Sequence, residues 1–215
     1  MLLKKLQRVL AVGVFASVVA LSVSAQAGEG SKNQVFFRGG YSMLTHSRGG
    51  EVFTDAGGAT TLNNGKSGFD VAGGVDLNIV TLFDGKLDLL GEIMVDYSKF
   101  SRKTVTQATS VLLGGAATSN ISVSELNVGI SPKARLDLGH VRPFIIPIGL
   151  SFLVNSPPSD DANYLDLGIN TGAGIDFKIV DWLSLGVDVR FTHGFHFAAE
   201  NVDYLSTGAY AGLNF

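Results

Sequence analysis

Charged residues recur at alternate positions along several segments of this chain, and they are the side chains best placed to act together. Asp188 and Arg190 illustrate the pattern, because a single apolar residue, Val189, separates them. Successive side chains of a β-strand point to opposite faces, so such charges share one face of a strand. An unpaired charge in an enclosed space is costly. The sequence therefore predicts an internal ion-pair network of Arg38, Asp70, Asp76, Glu92, Asp188 and Arg190, with Lys133, Arg135, Asp176 and Lys178 as further members.

Histidines are the residues that suggest catalysis. His193 and His196 precede Glu200, and Ser206 follows on the adjoining segment. A His, a Ser and an acid can attack an acyl group with base assistance, as a lipid-modifying enzyme would require. The spacing places no obvious His–Ser pair on one face, and two imidazoles three residues apart are a weak metal signal. We therefore predict no catalytic, metal or cofactor site, and we expect the isolated His46 and His140 to be solvated.

The first 27 residues have the features of a secretory signal peptide. Lys4, Lys5 and Arg8 precede an apolar run from Val9 to about Val23, and 25–27 reads Ala-Gln-Ala, a cleavage site of small residues. The alternative is an N-terminal anchor helix, for which the apolar run is short. We predict a signal peptide over 1–27 and a single domain over 28–215.

Composition excludes several classes of function. Removing the three basic residues of the signal leaves 13 Lys and Arg against 19 Asp and Glu, which argues against nucleic-acid binding. The chain has no Cys, so disulfides and thiolate metal sites are excluded. No stretch after Ala27 approaches 18 consecutive apolar residues. A chain without such a stretch can cross lipid only as a closed β-barrel, in which every backbone group is paired.

Alternating apolar and polar residues predict eight β-strands. The Asp84-Gly85 pair predicts a hairpin turn, and Pro147 predicts a bulge in a strand that is apolar on both faces. The predicted strands are 34–44, 67–80, 86–100, about 120–136, 143–154, 164–179, 183–192 and 203–215. Six aromatic residues near predicted strand ends could form interfacial girdles: Tyr97, Phe100, Tyr164, Phe177, Trp182 and Phe215.

The strands predict an all-β, eight-stranded antiparallel up-and-down transmembrane barrel. The strand number is even, and long connections alternate with short turns. A water-soluble lipocalin-like barrel would show the same periodicity, with its apolar face turned inward. The number of charges on the polar face favours the membrane barrel, because a small sealed apolar cavity could not hold them.

The final segment, 203–215, alternates strictly and ends on an aromatic residue, Phe215. With the signal peptide and the eight strands, it makes the chain resemble the small outer-membrane β-barrel family of Gram-negative bacteria, which includes the transmembrane domain of outer membrane protein A and porin-family domains. The resemblance implies a location in the outer membrane, contact with its lipid, and recognition of Leu213 and Phe215 by the barrel assembly machinery. A periplasmic cell-wall-binding domain is not expected.

Three functions remain open at this point. The first is a non-enzymatic outer-membrane barrel of the porin family, which supports the envelope and passes small solutes or ions through a narrow lumen. The second is a surface adhesion or interaction protein acting through loops 45–66 and 101–119. The third is a lipid-modifying enzyme. For the predicted charge network, a gate with exchanging partners and a static polar core both fit the pattern.

Overall fold

The computed structural model describes residues 32–45, 66–100, 103–106, 118–121, 124–156, 164–195 and 203–215. These residues form ten β-strands: β1 (Gln34–Leu44), β2 (Ser67–Leu82), β3 (Leu87–Phe100), β4 (Lys103–Thr106), β5 (Thr118–Ile121), β6 (Ser124–Leu136), β7 (Val141–Ser156), β8 (Tyr164–Val180), β9 (Leu183–Gly194) and β10 (Tyr204–Asn214). No helix in this part of the chain is long and apolar enough to span a membrane. The predicted signal peptide lies outside the described residues and stays a prediction.

Eight strands close into an antiparallel barrel in the order β1-β10-β9-β8-β7-β6-β3-β2. Each strand pairs with its neighbours in sequence, apart from the separate β4–β5 pair, and β1 closes the barrel against β10. The predicted fold class, an eight-stranded up-and-down barrel, is confirmed. Because β3 and β9 are four strands apart in both directions, they face each other across the lumen.

The two ends of the barrel differ in their connections. Short turns at 83–86, 137–140 and 181–182 lie at one end, here named the turn end. Gly85 and Gly139 have φ of 92° and 89°, a left-handed conformation that glycine adopts without strain. The longer connections, which begin after β1, β3, β7 and β9, lie at the opposite end, here named the loop end.

Side chains alternate between a polar interior and an apolar exterior, as the pattern predicted. In β3, for example, Asp88, Glu92 and Asp96 are buried in the lumen while Ile93 and Tyr97 are exposed on the outside. Irregular register interrupts the alternation between Asn78 and Val80 in β2 and between Ile146 and Gly149 in β7.

The irregularity around Pro147 changes which residues of β7 face inward. Phe144 and Ile146 are buried before it, whereas Ser151 and Leu153 are buried after it. Inward positions therefore change from even to odd residue numbers along this strand. The predicted bulge at Pro147 is confirmed, and it explains why β7 reads as apolar on both faces.

Some boundary predictions were wrong. The predicted strand 120–136 is two strands, β5 and β6, and the predicted loop 101–119 contains β4 and the start of β5, which form their own two-stranded sheet. Phe100 does not belong to an aromatic girdle, because its ring is buried against Tyr204 inside the barrel. Most of the predicted loop 45–66 and the side chain of Tyr164 lie outside the described residues.

Candidate functional site: the charged lumen

The polar faces of the eight barrel strands meet in the lumen and fill it at three levels. A central tier contains the six residues predicted as a network, a turn-end tier lies towards the short turns, and a loop-end tier lies towards the long connections. Nearly all of these side chains are buried. An eight-stranded barrel has an interior just wide enough for side chains to fill.

The structure brings all six predicted network residues together in the central tier. Arg190 Nη1 and Nη2 donate to Glu92 Oε1 and Oε2 at 2.5 Å and 3.1 Å. The Nε of Arg190 donates to Asp188 at 2.8 Å, and the Nε of Arg38 donates to the other oxygen of Asp188 at 2.7 Å. Arg38 also pairs with Asp70. Since Arg190 lies on β9 and Glu92 on the opposite strand β3, their bidentate pair crosses the full diameter of the lumen.

Lys133 extends the central tier and connects it to an aromatic cluster. Its Nζ lies 2.7 Å from Asp76 Oδ2 and 3.2 Å from Glu92 Oε2, and it sits 4.1 Å from the centroid of the Phe144 ring. Phe36, Phe144 and Tyr210 form this cluster. The centroid of the Tyr210 ring lies 5.8 Å from that of Phe36 and 6.4 Å from that of Phe144. The Phe36 and Phe144 rings thus both lie against the Lys133 ammonium group. Sequence reasoning missed this cluster, although Phe36 and Tyr210 stand at inward positions of their strands.

Inward glycines create the space for these large side chains. A Cβ added at Gly74 would lie 2.5 Å from Cζ of Phe36, and one added at Gly174 would lie 2.5 Å from Cζ of Phe144. Gly208 leaves room for the guanidinium of Arg38 in the same way. The glycine-rich composition of the strands thus serves packing of the lumen.

The turn-end tier contains a second set of ion pairs. Lys32 and Arg135 both contact Asp88, at 2.6 Å and 3.4 Å. Arg142 donates through Nη2 to Asp176 and to Ser184, each at 2.6 Å. Arg142 was missed in the sequence because it precedes Pro143 outside the predicted strand.

Lys178 is placed differently from its prediction as a lumen residue. It pairs with Asp181 in the β8–β9 turn at 2.8 Å, and Asp181 is almost fully exposed. The hydrogen bond from Lys178 holds the pKa of Asp181 below its ordinary value. The prediction failed because Lys178 lies at the last regular pair of the β8–β9 ladder, opposite Ser184, where its long side chain reaches the turn.

The loop-end tier is acidic. Asp96, Glu125, Asp166 and Asp203 are all buried there. Tyr204 on β10 reaches across the barrel, where its hydroxyl donates to Asp96 Oδ2 and accepts from Asn127 Nδ2, each at 3.3 Å. Since β10 and β6 are also four strands apart, the contact between Tyr204 and Asn127 is a second connection across the diameter.

The histidine candidates do not assemble into a nucleophilic site among the described residues. His193 Nδ1 lies 3.0 Å from Asp203 Oδ1, whereas the Ser206 hydroxyl contacts Arg38 and Asp70 inside the lumen. His196 and Glu200, like His46, lie outside the described residues. His140 is exposed, with its Nδ1 3.3 Å from the carbonyl oxygen of Lys178. Within the described ranges, no three His, Cys, Asp or Glu side chains are placed to hold a metal ion.

The exterior of the barrel is a continuous apolar surface. Its large apolar side chains are 38–72% exposed and include Ile79, Leu150, Leu165 and Trp182. Apolar patches larger than a few hundred Å² are rare on water-soluble monomers. The lipocalin-like alternative is wrong, because the charges face inward and the apolar side chains face outward. The barrel is therefore surrounded by lipid.

Comparison with known proteins agrees on the fold. No protein-family model and no curated protein sequence matches this chain. Neisserial surface protein A aligns over 85% of this chain and 97% of its own, with 14% identity and a TM-score of 0.54.

Ail, the attachment invasion locus protein of Yersinia pestis, aligns at 10% identity over 85% of this chain and 99% of its own, with a TM-score of 0.42. OprG of Pseudomonas aeruginosa aligns at 10% identity over 86% and 97%, with a TM-score of 0.45. Of these three scores only the first exceeds 0.5, and the fold comparison rests on it. The apolar exterior, the charged interior and this likeness lead to one conclusion: the chain folds as a small eight-stranded outer-membrane β-barrel.

Proposed function

We propose that this protein is a non-enzymatic outer-membrane scaffold whose lumen is sealed, so that it supports the envelope without forming an open pore. The observation that carries the proposal is the bidentate Arg190–Glu92 pair, which joins opposite walls of the barrel. Solutes would have to break this pair to pass. Of the two interpretations of the charge network, the geometry favours the static core.

Glu92 and Arg190 each have a further ionic contact, which makes the pair costly to open. Glu92 also binds Lys133, and Arg190 also binds Asp188. Moving either side chain would therefore break a second buried ion pair as well, and breaking a buried pair costs several kcal/mol. The contact between Tyr204 and Asn127 and the Arg142 contacts oppose passage above and below the pair.

Planar-bilayer conductance of the purified full-length protein tests the seal. The wild type should give no stable ohmic channel, whereas the double variant Glu92→Ala/Arg190→Ala should conduct, because both halves of the crossing are removed. Lys133 and Asp188 keep partners in that variant, in Asp76 and Arg38. The matched control is Lys178→Ala/Asp181→Ala, which removes an ion pair at the turn end. Stable channels in the wild type would contradict the proposal.

A surface-interaction role is the second candidate, and one observation supports it. The β4–β5 hairpin pairs Lys103 with Ile121 and Thr106 with Thr118, forming a two-stranded sheet outside the barrel at the loop end. Ordered projections on a rigid scaffold are common positions for binding surfaces. Deleting 103–121 should abolish binding of the partner by cells that carry the protein. The barrel should remain folded, so its unboiled and boiled forms should still migrate differently on a gel. Unchanged binding after the deletion would exclude the hairpin as the surface.

A further inference from the structure

The loop-end tier contains buried oxygen atoms without hydrogen-bond partners, and they lie close together. These atoms are both carboxylate oxygens of Glu125, Oδ1 of Asp96 and Oδ1 of Asn127. Glu125 and Asn127 are 1% exposed and Asp96 is 3% exposed. A buried carboxylate without a partner is strongly unfavourable. A bound cation or protonation of the carboxylates would relieve this cost, and the two alternatives can be distinguished by experiment.

The strand register places the three side chains within reach of one another. Asp96 is directly opposite Asn127 in the β3–β6 ladder, and Glu125 is opposite Ser98, one inward position further towards the loop end. Side chains opposite each other start about 5 Å apart, and diagonal neighbours start about 7 Å apart. Carboxylates on such positions can converge on one ion.

Basic side chains do not supply the positive charge within the described ranges. No Lys or Arg there forms an ion pair with Asp96 or Glu125, while Arg38, Lys133 and Arg190 are all engaged in the central tier. Two neutral hydroxyl groups, those of Tyr204 and Ser98, donate to the other oxygen of Asp96, at 3.3 Å and 3.5 Å. Asn127 donates its amide to Tyr204, and this orients its carbonyl oxygen away from that contact.

We propose that Asp96, Glu125 and Asn127 bind a divalent cation, with calcium as the best fit. Two carboxylates and an amide carbonyl are hard oxygen ligands of the kind that calcium takes, and two carboxylates balance its charge. Side chains fixed on two rigid strands favour calcium over magnesium, which demands near-ideal octahedral geometry. Glu125 is the second residue of β6, so the site lies near the loop-end rim, where water can complete the coordination.

Calorimetric titration of the full-length protein in detergent with calcium chloride, after removal of metal with EDTA, tests the proposal. The wild type should bind one calcium ion, and Glu125→Gln and Asp96→Asn should each weaken its affinity at least tenfold. Both substitutions keep the side-chain shape while removing a charge. Asp84→Asn, in the exposed turn at the opposite end, is the control and should bind as the wild type does.

Two further measurements show where the ion binds and whether the variants are folded. Terbium, which replaces calcium at oxygen sites, should luminesce when tyrosine is excited, because Tyr204 adjoins the site, and Glu125→Gln should lose the signal. In EDTA, Glu125→Gln should retain its unboiled gel mobility to at least the same temperature as the wild type, since it lacks the uncompensated charge. Equal calcium affinity in wild type and Glu125→Gln would overturn the proposal. So would a wild type that is stabilised by acidification and not by calcium, because a proton would then occupy the site.

Discussion

Replacing Arg190 by methionine tests how the central tier contributes to stability. The change removes two hydrogen bonds to Glu92 and one to Asp188 while keeping much of the side-chain volume. Breaking a buried ion pair by removing one partner costs roughly 3–5 kcal/mol. Glu92 retains Lys133, and Asp188 retains Arg38. We therefore expect the lower end of that range, about 3 kcal/mol, in the free energy of unfolding.

A second substitution, at Glu92, distinguishes two contributions to the loss of stability: a carboxylate left with one partner, and lost packing. Glu92→Gln in the Arg190→Met background removes the carboxylate that was left with one partner, and Lys133 keeps Asp76. The double variant should recover about 1–2 kcal/mol relative to Arg190→Met, a coupling within the range found for contacting residues. Urea unfolding of all four proteins of the cycle in lipid vesicles gives these values. Strictly additive effects, or a loss below about 1 kcal/mol for Arg190→Met, would refute the argument that the pair is one unit.

Three other substitutions examine the packing, the exterior and the terminal strand. Gly174→Ala should destabilise the barrel by about 1–3 kcal/mol in urea unfolding, because the added methyl group meets both the Phe144 ring and the carbonyl oxygen of Val187. A neutral effect would show that both neighbours can move. Val187→Arg should lower the free energy of unfolding by about 2–4 kcal/mol, the cost of a cation at the lipid midplane, because Val187 is exposed on the outside of β9. Phe83→Arg, in an exposed turn, should cost little. Equal costs would contradict the assignment of the exterior to lipid. Phe215→Ala should reduce the amount of assembled protein in the outer membrane. It should not lower stability to urea in vesicles, since the backbone nitrogen of Phe215 keeps its hydrogen bond to Asn33. Normal assembly of the variant would show that Phe215 is not part of an assembly signal.

The barrel itself could be predicted from the sequence because period-two alternation is a direct consequence of strand geometry. Residues such as Asp70 and Glu92 stand on the polar face of their strands, and both are buried in the lumen. The partners of these charges could be guessed from the need for neutrality. The crossing between Arg190 and Glu92 could not, because it depends on which strands face each other after closure.

Local irregularities account for most of what the sequence did not predict. A one-residue shift moves every following side chain to the other face. The shift near Pro147 therefore reversed the inward set of β7. Lys178 lies at the end of its ladder, where its long side chain reaches Asp181 in the turn. The prediction that Phe100 belongs to an aromatic girdle was wrong for another reason. An aromatic residue at a strand end fits either a lipid interface or a cap on the lumen, and only the strand's parity distinguishes them.

The seam between β1 and β10 has a consequence for the order of events in biogenesis. Gln34 pairs with Asn214, 180 residues further along the chain, and the ladder continues in register to Leu44 and Tyr204. Contacts of such long range form slowly, because most of the intervening chain must be arranged first. Until then the two outermost strands expose backbone groups that lipid cannot satisfy. Insertion of this protein should therefore depend on a template that temporarily pairs with those open edges and releases them only when they can meet.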